Sequence, residues 1–395
     1  MEERKNFRLT VFLGILAAMA PLATDMYLPA LPSMLKTFGI NASMVQLTLT
    51  MTMAGMAVGQ LLAGPVSDML GRRLPLIAGM AVFGLSSAGC AFSEGIGMFL
   101  VCRFLQGLSG AVGIVNARAI ARDLCTGREL TRFFSMLMLV NGIAPVISPV
   151  IGGQMLRFAS WRGIFLLLTV IGVLLSVSSF FFRETLPKER RIDSLKASFH
   201  TFGVLLRDKY FMGNCLVQWF FFGGFFAYIS GSSFLFQNIY HVTPQEFSLI
   251  FGSIGIVVAV TGGIAGRMSN RFSEVTMLKA ALRVANFGAW FFLACVLVKA
   301  PLLAVMAALL SIVPMVTVIG AMTFSLAMRS QGKNAGGAAA LLGFFSMLSG
   351  GMTAPLVGIM GEANALPMAA MMIFGSAGSM TCYYKMILPA HSNER

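Results

Sequence analysis

Two ionisable side chains stand inside otherwise apolar stretches. Asp25 lies in LAAMAPLATDMYLPALPSML (16–35) and Arg103 in GIGMFLVCRFLQGLSGAVGIVNA (95–117). An ionised group at the centre of a bilayer costs at least about 2.5–3.5 kcal/mol, so each needs a partner, water or a function. A carboxylic acid escapes that cost by taking up a proton. Apolar surroundings favour the neutral acid, and water or a nearby cation favours the carboxylate. An acid at this depth can therefore load and release a proton as its exposure alternates. Arginine keeps its charge in any protein environment. Arg103 is expected to act as a fixed cation that orders the site and tunes Asp25, and the two together are the expected proton-coupling residues.

Other residue patterns suggest moving parts. In Gly64-Pro-Val-Ser-Asp68-Met-Leu-Gly71-Arg72-Arg73 the glycines permit a tight turn. An acid there suits the N-terminus of another helix, and Arg72 is placed to pair with Asp123; together they read as a gating loop. In Ala144-Pro145-Val-Ile-Ser148-Pro149-Val-Ile-Gly152-Gly153, small residues permit close helix approach, and proline removes a backbone hydrogen bond and allows a bend. Tyr27, Asn116, Asn141, Gln218, Tyr228, Ser232 and Gln237 are polar or aromatic in apolar segments and are expected to line a substrate cavity. With so little charge at depth, that cavity suits small neutral or amphipathic molecules. The six cysteines lack metal-ligand spacing and the three histidines are dispersed. No Ser/His/Asp, HExxH or GxxxxGK[ST] arrangement occurs, so neither an enzyme, a metal, a nucleotide nor another cofactor is expected. The energy source is then a proton gradient.

The elements that must hold these residues are set by composition. The 395 residues are 57% hydrophobic and 11% charged, which excludes an ordinary water-soluble domain. Apolar runs long enough to cross about 30 Å of hydrocarbon recur throughout. They are long and interrupted by glycine rather than short and alternating, which gives an all-α polytopic protein and not a β-barrel. Twelve spans are predicted at about 9–36, 42–65, 74–93, 97–118, 132–156, 162–182, 210–236, 246–266, 276–298, 301–326, 335–360 and 364–386. Of the 29 basic residues, all but Lys36, Arg103, Arg157, Arg162 and Lys299 then fall on the side holding both termini. The positive-inside rule makes that side cytoplasmic and turns the net charge of +14 into a topology signal rather than a nucleic-acid one. The first apolar run is too long for a cleaved signal peptide and is expected to stay as helix one. The hydrophilic stretch Arg183–Lys209 divides the chain into a bundle at 1–182, a cytoplasmic linker at 183–209 and a bundle at 210–395. Gly64, Ser67 and Asp68 recur as Gly266, Ser269 and Asn270, the trace of two pseudo-repeated six-helix halves with a site between them.

GPVSDMLGRR at 64–73 and Arg103-Phe-Leu-Gln106-Gly107 make the chain resemble the major facilitator superfamily. Asp25-Met-Tyr27-Leu-Pro29-Ala-Leu-Pro32 and Phe225-Phe-Ala-Tyr228-Ile-Ser230-Gly231-Ser232 are similar to the segments of its bicyclomycin-resistance (Bcr/CflA) drug/proton antiporters, and the likeness extends through Ser160-Trp161-Arg162 and Arg183-Glu184-Thr185-Leu186-Pro187. The resemblance implies the twelve-helix major facilitator fold, multidrug efflux by proton antiport, a monomer and a bacterial inner-membrane location. It also implies that the helix-one acid pairs with the helix-four Arg, and that Asp68 meets the helix opened by Asn334-Ala-Gly336-Gly337. The helix-five motif departs from the family in having Ala144 and Ser148 where glycines are usual. A proton-coupled carrier of a nucleoside, amino acid or siderophore fits the same motifs, and a non-transporting membrane receptor is the reading from a different class.

Overall fold

The computed structural model describes the backbone of residues 2–125, 127–191, 195–329, 331 and 334–389. Within these it describes every side chain except those of residues 2–8, 127–132, 134–136, 138–139, 141, 190 and 195–199. The described chain is 85% helical, with no strand among the described residues.

Span one is discontinuous. Helix α1 (Glu2–Asp25) stops at the acid, a 3₁₀ turn follows at Leu28–Ala30, and α2 (Leu31–Phe38) completes the crossing. Pro29 and Pro32 supply the physical cause, since each lacks a backbone donor and crowds the preceding turn, whereas Pro21 stays inside α1. Helices α3 (Ala42–Leu70), α4 (Arg73–Ala91), α5 (Ile96–Leu124), α6 (Gly127–Met155) and α7 (Trp161–Phe180) follow. Helix α3 runs past Pro65 to Leu70 and α5 runs to Leu124, several residues beyond the apolar limits of spans two and four. Asp68 therefore sits on a helix, and only Gly71 and Arg72 form the turn. Within Arg183–Lys209 there is a 3₁₀ turn at Lys188–Arg190 and a helix, α8 (Leu195–Leu205).

The remaining spans are α9 (Lys209–Phe234), widened to a π turn over Leu235–Ile239; α10 (Pro244–Met268); α11 (Glu274–Leu297); α12 (Leu302–Ile312) with α13 (Met315–Met328); α14 (Ala335–Val357); and α15 (Leu366–Cys382), which ends in a π turn over Tyr383–Ile387. Pro314 divides α12 from α13. Helix starts follow local chemistry. Asp208 accepts from the Tyr210 and Phe211 amides, and Thr243 and Glu246 form a capping box with Pro244 at the first position. Ten of these crossings are long and apolar enough to span a bilayer among the described residues. The other two are α6, whose first half is charged, and α15, whose 17 residues are prolonged by its π turn.

Packing divides the chain into two units, Met1–Ala30 with Met51–Ser198, and Leu31–Thr50 with Phe199–Arg395. In the first, α4 lies along α7 and α1 along α5 and α6. In the second, α9 is flanked by α14 and α15, and a core of Val217, Leu278, Leu282, Ile319 and Tyr383 closes around it. Leu31–Thr50, the tip of the first hairpin, belongs to this second unit: Ser43 Oγ donates to the Pro355 carbonyl at 3.0 Å and Gln46 Nε2 to that of Ser230 at 3.3 Å.

Candidate functional site

The broken end of α1 carries the first site. Carbonyls in the last turn of an α-helix have no intrahelical partner. Arg103 meets one of them, since its Nη1 donates to the Ala23 carbonyl at 2.9 Å. A cation at a helix C-terminus is also favoured by the helix dipole. The same Nη1 donates to Gln106 Oε1, and Gln106 Nε2 donates to Ser87 Oγ at 2.7 Å. The guanidinium lies 4.3 Å from the centre of the Tyr27 ring and 5.5 Å from that of Phe165. Phe99 and Trp161 extend this aromatic wall, with Phe99 5.2 Å from Phe165 and 5.7 Å from Trp161. Arg103 is fully buried and Asp25 is 5% exposed.

Thr24, the neighbour of Asp25, turns its hydroxyl back into α1 and donates to the Ala20 carbonyl at 2.9 Å. The ion pairs among the described residues do not join Asp25 to Arg103. The cation instead grips the segment on both sides of the acid, through the carbonyl of residue 23 and the ring of residue 27. Helix α6 closes the same segment from another side. A Cβ at Gly152 would run into the Met26 carbonyl oxygen, so only glycine lets the two backbones meet there. Ser148 is buried and its hydroxyl donates to the Ala144 carbonyl at 2.6 Å, one turn back. Gly153 and Pro149 continue that helix.

A second constellation ties the α3–α4 turn together. Arg72 donates to Asp68 at 2.6 Å, to Asp123 at 2.9 Å and to Ser67 Oγ at 3.1 Å. Ser67 in turn donates to Asn116 Oδ1 at 2.5 Å. Glu184, just beyond α7, accepts from the backbone amides of Arg72 at 2.8 Å and Arg73 at 3.2 Å, and from those of Thr185 and Leu186. Partial burial works against its charge, yet these four amides hold its carboxyl below the usual Glu value. Thr185 Oγ1 donates to Asp123 at 3.2 Å and Arg191 stands 3.6 Å from Glu184. Gly71 adopts φ +89°, and a Cβ there would collide with the Glu184 carboxylate. Arg73 reaches the Phe180 carbonyl at 2.5 Å. Sequence reading placed Asp68, Gly71, Arg72, Arg73 and Asp123 in this group and missed Glu184 as its anchor. The signal was an acid directly after span six, on the same side as the turn.

The cavity candidates lie in different places. Tyr27 is at the Arg103 site. Asn116 belongs to the turn network, about 20 Å along α5 from Arg103 at 1.5 Å per residue. In the second unit, Gln218 on α9 donates to Ser346 on α14 at 2.7 Å and accepts from Thr323 on α13 at 3.2 Å. Tyr228, 1% exposed, stacks on Phe251 at 5.5 Å and 8°. Ser232 donates to the Ile229 carbonyl, and Gln237 to Ser233 Oγ. The side chain of Asn141 lies outside the described residues, as do those of Arg4, Lys5, Arg8, Arg128, Arg132, Arg190, Lys196, Lys333 and Arg395, which enter the charge asymmetry.

A twelve-span bundle with internal pseudo-repeats, a near-fully buried acid at a helix break and a fixed cation beside it defines a multi-pass membrane carrier. Comparison supplies the family. The model of the Major Facilitator Superfamily matches residues 13–355, and the chain belongs to that superfamily. It is 42% identical to "Uncharacterized MFS-type transporter YdgK" of Bacillus subtilis, over 93% of this chain and 92% of that protein. To "Bicyclomycin resistance protein homolog" of Haemophilus influenzae it is 32% identical, over 75% of each chain. The solved xylose transporter XylE of Escherichia coli, in a partially occluded inward-open conformation, superposes with a TM-score of 0.75 at 13% identity. That match covers 96% of this chain and 97% of XylE, and it shows the shared fold.

Proposed function

We propose that the protein exports small neutral or amphipathic organic molecules, of the bicyclomycin and multidrug kind, in exchange for protons. Asp25 carries the proton. The observation that bears the reading is its position: 5% exposed, at the end of a broken helix whose next residues are gripped by Arg103 and approached by α6. Discontinuous helices at mid-membrane are where secondary carriers place their ion sites. The name of the Haemophilus influenzae relative supports the substrate class.

In this cycle Asp25 is protonated when open to the outside and released when open to the cytoplasm, while Arg103 stays charged and keeps the segment in place. Each proton entering down 100 mV contributes about 2.3 kcal/mol, enough to concentrate a neutral substrate roughly fifty-fold. Arg72, Asp68 and Asp123 gate the cytoplasmic face, and Ser148, Pro149, Gly152 and Gly153 form the hinge of α6. Tyr27, Gln218, Tyr228 and Ser232 supply substrate contacts. The protein works as a monomer in the bacterial inner membrane with both termini cytoplasmic.

The test is substrate-induced proton movement in everted vesicles. Wild type should release protons when given a transported drug, and Asp25→Asn should not. Full proton-coupled transport by Asp25→Asn would remove the proposed carrier. A response to nucleosides, amino acids or siderophores but to no drug would replace efflux of drugs with metabolite transport.

A further inference from the structure

On the flank of the second unit, α11 and α15 run antiparallel with their register fixed at two points. Tyr383 Oη donates to the Val275 carbonyl at 3.4 Å, and Asn286 Nδ2 to Ser376 Oγ at 3.4 Å. Between them lies an open groove of about 400 Å³ lined by Asn286, Ala377, Met380, Thr381, Tyr384 and Lys385. A volume of this size suits a small organic ligand or an alkyl chain. Within the lining Asn286 is bonded to Ser376 and Thr381 Oγ1 donates to the Ala377 carbonyl at 2.9 Å, which leaves the Lys385 ammonium as the group that needs a partner from outside the protein.

The rim is uniformly basic. Lys279, Arg283 and Asn286 follow one another at helical spacings of four and three on α11, so they share a face. The register brings the π turn after α15, with Lys385, level with the first turns of α11. Arg283 and Lys385 are exposed, and the ion pairs among the described residues include none of Lys279, Arg283 and Lys385. The one acid on either helix, Glu274, is taken by Arg329 at 2.5 Å. Basic pockets between helices at the membrane surface suit anionic lipid headgroups.

We infer that this groove binds an anionic phospholipid of the leaflet on the side of the C-terminus. One acyl chain lies along Ala377, Met380 and Thr381, and the phosphate sits at Lys385 with Lys279 and Arg283. Tyr384 stands at the polar–apolar boundary, the depth tyrosine prefers. The inference rests on the membrane-spanning fold and not on proton coupling, so Asp25→Asn should bind the lipid like wild type.

The test uses the full chain in a neutral detergent, with dioleoyl phosphatidylglycerol or dioleoyl phosphatidylcholine added. Phosphatidylglycerol should raise the unfolding temperature more than phosphatidylcholine does, and high salt should shrink the difference. Arg283→Gln combined with Lys385→Gln should lose at least half of that difference, whereas Lys385→Arg should keep it. Thr381→Trp fills the groove without changing charge, and should reduce the phosphatidylglycerol retained in native mass spectrometry at least threefold. A double variant that keeps the full lipid effect overturns the inference, as does equal stabilisation by inorganic phosphate alone.

Discussion

Arg103 combines three interactions that a different cation would not reproduce. Its guanidinium lies over the Tyr27 ring, donates to the Ala23 carbonyl and holds Gln106, all with no exposed surface. Lysine keeps the charge but loses the planar fork. Arg103→Lys should therefore lower stability by about 2 kcal/mol, the scale of a desolvated cation–π contact. It should also cut proton-coupled transport at least tenfold, as read by thermal unfolding and proton release. Transport at the wild-type rate would mean that charge alone is needed at this position. Asp25 and Arg103 were both visible in the sequence because nothing else nearby carries charge. Their relation was expected as a pairing of the two side chains. One partner of Arg103 is instead a backbone carbonyl released by the end of α1, and a string of side chains does not say which carbonyl is left over when prolines break a helix.

Among the elements, the long spans were legible because a bilayer demands about twenty apolar residues. Those at 132–156 and 364–386 were legible too, although α6 begins with charged residues and α15 has 17 residues before its π turn. Less legible was where helices end on the polar side, since no hydrocarbon limit applies there; α3 and α5 continue past their apolar limits and carry Asp68 and Asp123 on rigid helix. The α3–α4 turn is then fixed by Glu184. Glu184→Gln should cost about 1 kcal/mol, as loss of a helix-terminal cap does. Because the folded value of Glu184 is lowered, its stabilisation is complete above the usual Glu value of 4.5 and is lost as pH falls through the lower folded value. Thermal unfolding of the wild type should thus show an acid-side loss of stability in that window that Glu184→Gln reduces. Gly71→Ala strains a backbone at φ +89° and presses on the same carboxylate. It should destabilise by about 1–2 kcal/mol and slow transport without altering the response to added phosphatidylglycerol.

At the scale of the whole molecule, two of the three boundaries between packing units cut through spans one and two, at Ala30/Leu31 and Thr50/Met51, and the third falls at Ser198/Phe199 between spans six and seven. Residues 31–50 are covalently continuous with the first unit and packed within the second. Alternating access needs either a bend at both boundaries or a parting of that packing once in each cycle. The first boundary falls at the proline-rich break after α1, where bending is cheap. The second falls inside α3, an unbroken helix at that point, where bending forfeits backbone hydrogen bonds. The packing is the weaker element. It is held by the bonds from Ser43 and Gln46 to carbonyls of residues 355 and 230, and by a close approach at Gly358, where a Cβ would stand 2.6 Å from the Ser43 amide nitrogen. Parting there is therefore the expected step of the cycle, and the packed state depends on Gly358 having no side chain. Gly358→Val should leave a folded protein with a wild-type chromatographic profile and transport reduced at least tenfold, with Gly358→Ala intermediate. Amide hydrogen exchange should rise selectively over residues 42–48 and 355–361 and stay unchanged around Arg103, because only the packed state protects the first set. If Gly358→Val transports normally and keeps its protection, the cycle does not run through this contact, and the bend must be sought within α3.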